Sequence, residues 1–175
     1  MNIGYEEEIT ISSNNPDVET WIYNKGYGGL KIKKVDREET TKKLPNVVFN
    51  LYRVDEENKS LSFYKQLTTD KNGEAITSTA KTNYGINDSN NYCIRAGTYF
   101  LFELKNPNLG YDVKFQGKNI PNGYGYDGKT YIENMGAYMG KIKIETGQMT
   151  NLTDDKSITN QKYGTIKIIK NGQDN

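Results

Sequence analysis

The sequence predicts an all-β sandwich, and two observations lead to this prediction. The strongest hydrophobic periodicity is two, as in half-buried strands, whereas signals for amphipathic helices are scarce. The alternating runs are separated by clusters rich in Asn, Asp and Gly, such as 70–73 and 87–91. Many short strands at this spacing are typical of two packed antiparallel sheets.

The first three expected strands cover 29–35, 46–53 and 60–68. In the first, apolar residues alternate with lysines from Leu30 onward, and in the second every other residue from Val47 is apolar. The polar cluster 70–73 follows the third strand and is expected to be a hairpin turn rather than a metal site.

Four more strands are expected at 92–95, 97–104, 140–146 and 156–160. The strand at 97–104 is apolar on both faces, whereas 140–146 alternates through Ile142 and Ile144. The region 111–139 is rich in Gly, Tyr and Asn and is expected to be an insertion or a long loop.

The composition limits the classes of function. Lys and Arg (23) nearly balance Asp and Glu (22), so the charge does not favour nucleic acid or an anionic membrane as a partner. The chain has no His, which removes Ser-His-Asp catalysis and the commonest metal ligand. Cys93 is alone and is expected to be a small buried residue. Met1 leads into three glutamates, so an export signal is expected to lie outside this fragment.

A thirteen-residue segment occurs twice in the chain. Residues 22–34 and 158–170 align without a gap at an offset of 158 − 22 = 136 residues, with seven identical positions. Self-similarity at a long fixed period predicts tandem units. We therefore expect 1–24 to be the closing hairpin of a preceding unit, 25–163 to be one domain, and 164–175 to open the next unit.

Strand phase directs one lysine inward. Successive side chains point to opposite faces of a strand, so Lys34 shares a face with apolar residues such as Ile32. By the same rule Asn160 is in phase with Ile158, and Glu103 lies within a strand that is apolar on both faces. Each of these polar groups is costly to bury alone, and together they satisfy one another.

Four segments carry a resemblance to a known family. They are the opening strand with the Leu-Pro segment after it, a turn, a strand that ends in Glu103 and leads to Pro107 and Gly110-Tyr111, and a closing strand; they lie at 29–51, 68–73, 96–111 and 158–160. In this order they resemble the motifs of Cna B-type (SpaA-like) domains. These are modules of the pilins and surface adhesins of Gram-positive bacteria.

The resemblance implies a prealbumin-like (Ig-like) β-sandwich with a self-formed isopeptide bond. It makes Lys34 the nucleophile, Asn160 the acceptor and Glu103 the catalytic acid, in a single self-modification that needs no cofactor and gives no enzymatic turnover. Burial favours the neutral amine, and contact between amine and amide supplies a high effective concentration. If 164–170 is instead the last strand of this domain, Asn171 is the rival acceptor, although the repeat favours Asn160.

The resemblance also implies a function and its partners. The chain is expected to be a stalk or spacer repeat of an extracellular, cell-wall-anchored adhesin or pilin, in contact with neighbouring tandem domains. The alternative is a binding module in which 111–139 contacts a host protein or glycan through Tyr124, Tyr126 and Tyr131. Lys25 lacks a preceding Pro and is not expected to be a polymerisation lysine.

Overall fold

Ten strands form two five-stranded sheets in the computed structural model, which describes residues 26–77 and 94–164. The predicted all-β sandwich is confirmed. The strands are β1 Tyr27–Asp36, β2 Val48–Asp55, β3 Ser60–Thr68, β4 Glu74–Ile76, β5 Ile94–Arg95, β6 Gly97–Lys105, β7 Tyr131–Ile132, β8 Gly136–Ile144, β9 Met149–Leu152 and β10 Ile158–Asn160. Two short 3-10 turns lie at Val113–Phe115 and Asp154–Lys156. Within these ranges no helix has the length or apolar character to cross a membrane.

The first sheet is built around β1. On one side β1 pairs in parallel with β9 and β10, and on the other it pairs antiparallel with β4 and β5. The pairing with β10 covers the last three residues of β1 and sets Asp36 opposite Asn160. The first and last described strands of the domain are therefore direct neighbours that run in the same direction.

The second sheet has the order β3-β2-β6-β8-β7 and is antiparallel throughout. Its central strand β6 is buried on both faces, as its apolar sequence predicts. Tyr99 and Leu101 belong to the main core between the sheets, whereas Phe100 and Phe102 belong to a second apolar cluster. Alternate side chains of one strand thus contribute to two separate cores.

The second cluster explains the region 111–139. Segment 118–135 lies over the outer face of the second sheet, where Ile120, Tyr124 and Met135 pack with Phe100 and Phe102. The region also contains a 3-10 turn, β7 and the first residues of β8. The insertion is thus an apolar cover for a sheet face that would otherwise be exposed.

The predicted strand bounds agree with the structure to different degrees. The strand at 60–68 has the predicted bounds, whereas β8 spans Gly136–Ile144 instead of 140–146 because its start pairs with the end of β6. The sequence does not predict β4, β7 and β9, which have two to four residues each. A turn at 70–73 is confirmed, because Asp70 accepts the backbone N–H groups of Asn72 and Glu74 at 2.8 and 3.0 Å. The expected hairpin is wrong, because β3 and β4 belong to different sheets and the turn carries the chain from one sheet to the other. Residues 1–25, Cys93 and 165–175 lie outside the described residues.

Glu56 fastens the insertion to the second sheet. Its carboxylate accepts the Tyr124 hydroxyl at 2.8 Å and the Lys141 amine at 2.6 Å, and Lys59 lies at 3.5 Å. The hydrogen bonds from Lys141 and Tyr124 lower the pKa of Glu56 from its ordinary value of 4.5 to about 2. The folded-state pKa is below the unfolded one, so this stabilisation is present above the unfolded pKa and is lost as the pH falls toward 2.

We therefore expect wild-type stability to fall more steeply between pH 4.5 and pH 2 than the stability of Glu56→Gln. Thermal melting across this range measures the difference. Glu57→Gln is the matched control, because the side chain of Glu57 is exposed and makes none of these contacts. Parallel curves for wild type and Glu56→Gln would contradict the expectation.

Candidate functional site

Lys34, Glu103 and Asn160 meet in the interior of the sandwich. The Lys34 amine donates to Glu103 Oε2 at 2.7 Å and to Asn160 Oδ1 at 2.5 Å. The Asn160 carboxamide donates from Nδ2 to Glu103 Oε1 at 2.6 Å. The three side chains form a closed ring of hydrogen bonds and are each 0% exposed. We call this arrangement the triad.

Strand geometry places Lys34 and Asn160 side by side. Lys34 is on β1 in phase with buried Ile32, so its predicted burial is confirmed. Asn160 ends β10, where its backbone carbonyl accepts the Arg37 N–H at 2.9 Å. Because β1 and β10 are parallel neighbours, the long lysine side chain reaches the carboxamide at the end of β10.

Glu103 reaches the triad from β6 in the opposite sheet. The start of β8 approaches it closely, since Glu103 pairs with Ala137. Gly136 has φ 102°, and a Cβ atom there would lie 2.2 Å from the Glu103 carbonyl oxygen. Gly136 is thus a residue of the site that the sequence did not reveal, because its role appears only when two distant strands meet.

Apolar residues of the main core pack around the triad. The Phe49 ring centroid lies 5.9 Å from the Lys34 amine, and the main core encloses the site. Burial lowers the pKa of Lys34, against the opposing attraction of the Glu103 charge. A lowered pKa increases the fraction of neutral amine, which is the form with a free lone pair.

The hydrogen bonds of Glu103 differ from the expected ones. Catalysis by a carboxylic acid would place Glu103 against the carbonyl oxygen of Asn160, but Lys34 occupies that oxygen. Glu103 instead accepts the N–H of the same carboxamide at Oε1, while its Oε2 accepts the Lys34 amine. It therefore touches both the nitrogen of Lys34 and the nitrogen that Asn160 would lose.

The three tyrosines of the alternative binding surface do not come together. Tyr124 is only 9% exposed, with its ring centroid 4.8 Å from that of Phe100. Tyr126 packs against the same outer cluster, whereas Tyr131 packs against the main core. The described residues thus present no common face of these rings.

Two other residues considered in the sequence are not placed by the structure. The rival acceptor Asn171 and Lys25 lie outside the described residues, whereas Asn160 is in contact with Lys34.

Comparison with solved structures finds several that are similar to this chain. The chain resembles the Bacillus anthracis TIE protein at 20% identity and a TM-score of 0.46, covering 78% of this chain and 17% of that one. It resembles a streptococcal ancillary pilin at 18% identity and a TM-score of 0.42, covering 78% and 32%. It also resembles the T6 backbone pilin of serotype M6 Streptococcus pyogenes at 18% identity and a TM-score of 0.41, covering 79% and 35%. The chain thus spans about a third or less of these proteins.

The sequence itself identifies the family. Comparison with curated proteins gives no match. Residues 28–121, more than half of the chain, match the family described as SpaA, a prealbumin-like fold domain. The match runs from β1 past β6 and includes Lys34 and Glu103. The chain therefore belongs to the SpaA family of prealbumin-like fold domains.

Proposed function

We propose that this domain is a structural spacer repeat of a Gram-positive cell-surface adhesin or pilin, stabilised by an isopeptide bond that it forms between Lys34 and Asn160. The proposal depends above all on one observation, the closed ring of three buried side chains. Membership of the SpaA family supports a structural role at the cell surface.

The reaction joins an amine to a carboxamide and releases ammonia. The neutral Lys34 amine attacks Cγ of Asn160, and the new C–N bond forms as the carbonyl becomes tetrahedral. Glu103 takes one proton from Nζ and passes one proton to Nδ2, so the side chain neither gains nor loses a proton overall. The Cγ–Nδ2 bond then breaks and ammonia departs, so Glu103 ends in its starting state. Each carboxylate oxygen already contacts the nitrogen that it serves.

An amide normally reacts with an amine at a negligible rate, so the site must lower the activation barrier. Fixed contact between reacting groups is equivalent to an effective concentration of roughly 10⁵–10⁸ M. Complete burial of the triad also keeps water from competing for the carboxamide. The bond forms once in each molecule, and the site is then consumed.

The position of the bond suits a domain under tension. Lys34 and Asn160 are 126 residues apart in sequence but lie on neighbouring strands. In a tandem array, with 1–24 closing a preceding unit and 164–175 opening the next, a pull enters through β1 and leaves through β10. The bond would join these two strands directly and pass tension between neighbouring units at the cell wall.

The mass of the purified protein tests this proposal. We expect an intact mass lower by one ammonia than the sequence requires, with Lys34 and Asn160 in one branched peptide after proteolysis. Glu103→Gln keeps the shape of the side chain but cannot carry the proton, so it is expected to have the full mass. Glu74→Gln is the control. It removes a carboxylate that pairs with Lys31, which lies on β1 like Lys34, and it is expected to lose ammonia as wild type does. A wild-type chain of full mass would exclude the bond.

A further inference from the structure

Asp36 and Tyr111 form a buried polar pair beside the triad, and the reaction itself does not use them. They are 5% and 7% exposed, and the Tyr111 hydroxyl donates to Asp36 Oδ2. The other carboxylate oxygen accepts the backbone N–H groups of Glu38 at 2.7 Å and Glu39 at 2.9 Å. These bonds, led by that of Tyr111, lower the pKa of Asp36, so it is ionised at neutral pH.

The pair connects the chain segments that carry the triad. Asp36 lies two residues after Lys34 on β1, in the same strand phase, and its Cα is opposite that of Asn160. Tyr111 follows β6, eight residues (111 − 103) after Glu103. The hydrogen bond from the Tyr111 hydroxyl thus connects β1, which carries Lys34, to the segment that follows β6, which carries Glu103.

The same segment also holds the chain beyond Asn160. The carbonyl of Gly110 accepts the N–H of Tyr163 at 3.0 Å, three residues (163 − 160) after Asn160. β10 has only three residues, so its own ladder bonds fix its position weakly. Contacts on either side of Asn160 therefore decide how closely its carboxamide meets Lys34.

We propose that Asp36 and Tyr111 are positioning residues for the cross-linking reaction. Their hydrogen bond fixes segment 110–111 against β1, and segment 110–111 in turn fixes the exit from β10. This inference rests on the proposed function. A displacement of about 1 Å between reacting groups can cost roughly 100-fold in rate, so even a modest loosening is measurable.

Tyr111→Phe tests the inference, because it removes the hydroxyl and keeps the ring that packs in the core beside the Lys42 amine. The chain is made by a short pulse of cell-free synthesis, chased at neutral pH, quenched in denaturant and weighed intact. We expect ammonia loss to be at least about tenfold slower than in wild type.

Tyr99→Phe is the matched control. Its ring lies in the same core, but its hydroxyl donates at 2.6 Å to the backbone carbonyl of Arg95. It loses a comparable hydrogen bond far from the triad, so its cross-linking rate is expected to match wild type. Asp36→Asn keeps a polar side chain that can hydrogen-bond the Tyr111 hydroxyl, whereas Asp36→Ala keeps none, so Asp36→Asn is expected to react faster.

Equal rates for Tyr111→Phe and Tyr99→Phe, with normal cross-linking in wild type, would overturn the positioning role and leave the proposed function intact. If wild type itself loses no ammonia, both the proposed function and the positioning role are wrong. Should Tyr111→Phe fail to fold, as judged by circular dichroism, the comparison of the two Asp36 variants decides the question by the same measurement.

Discussion

Stretched from its two ends, the cross-linked domain is expected to keep its length, whereas Lys34→Met is expected to lengthen by roughly 430 Å as it unfolds. The two cross-linked positions are 126 residues apart, and each residue of extended chain adds about 3.4 Å. In wild type the force passes from β1 through the new amide to β10, so the residues between them carry none of it. Single-molecule force spectroscopy with handles at both termini measures the difference.

Lys31→Met is the matched control for this experiment. Lys31 lies on the same strand as Lys34 but is half-buried and paired with Glu74. Its replacement leaves the triad complete, so the variant is expected to stay as short as wild type. Extension of the wild-type domain by the full length would contradict a covalent link between the two strands.

The free energy of unfolding of Lys34→Met is expected to be about 4–5 kcal/mol lower than that of wild type. Most of this difference comes from the unfolded state, because a bond that closes a loop of 126 residues restricts the conformations of the denatured chain. Loss of the Lys34 nitrogen also removes a hydrogen-bond donor from the buried Glu103 side chain, which adds to the cost. Urea denaturation followed by circular dichroism measures both variants.

Glu103→Gln separates these two contributions. It also lacks the bond, but its side-chain carbonyl still accepts a hydrogen bond from the buried Lys34 amine, so its stability is expected to fall mainly by the loop contribution. The denaturant slope provides a second check, since a cross-linked unfolded chain exposes less surface and gives a smaller slope in wild type. Equal stability of wild type and Glu103→Gln, with cross-linking present only in wild type, would contradict the loop argument.

The inward position of Lys34 could be predicted from the sequence because strand alternation is a local property. The position of Asn160 depends on the register between β1 and β10, which are far apart in sequence. Strand phase with Ile158 and the repeat indicated Asn160 in the sequence, and the family resemblance paired it with Lys34. Gly136 and Tyr111 could not be assigned to the site, because each acts through a contact with a distant strand.

The packing of segment 118–135 over the second sheet also could not be predicted from the sequence. Segment 118–135 has no regular period, since Ile120, Tyr124 and Met135 are anchored one by one against β6 rather than along a strand. β9 likewise shows no alternation in Met149–Leu152 and is a strand only because β1 pairs with it. The hydrogen-bond partner of Glu103 depends on which atom of Asn160 the lysine occupies, and only the assembled site decides that.

The parallel pairing of β1 and β10 has a consequence for the molecule before any bond has formed. A pull on the two ends slides one strand along the other in shear, so the ladder bonds of the pair are strained together instead of peeling apart one at a time. A freshly folded domain therefore resists tension by its hydrogen bonds alone. Under the proposed function, these hydrogen bonds would carry the tension until the covalent bond has formed.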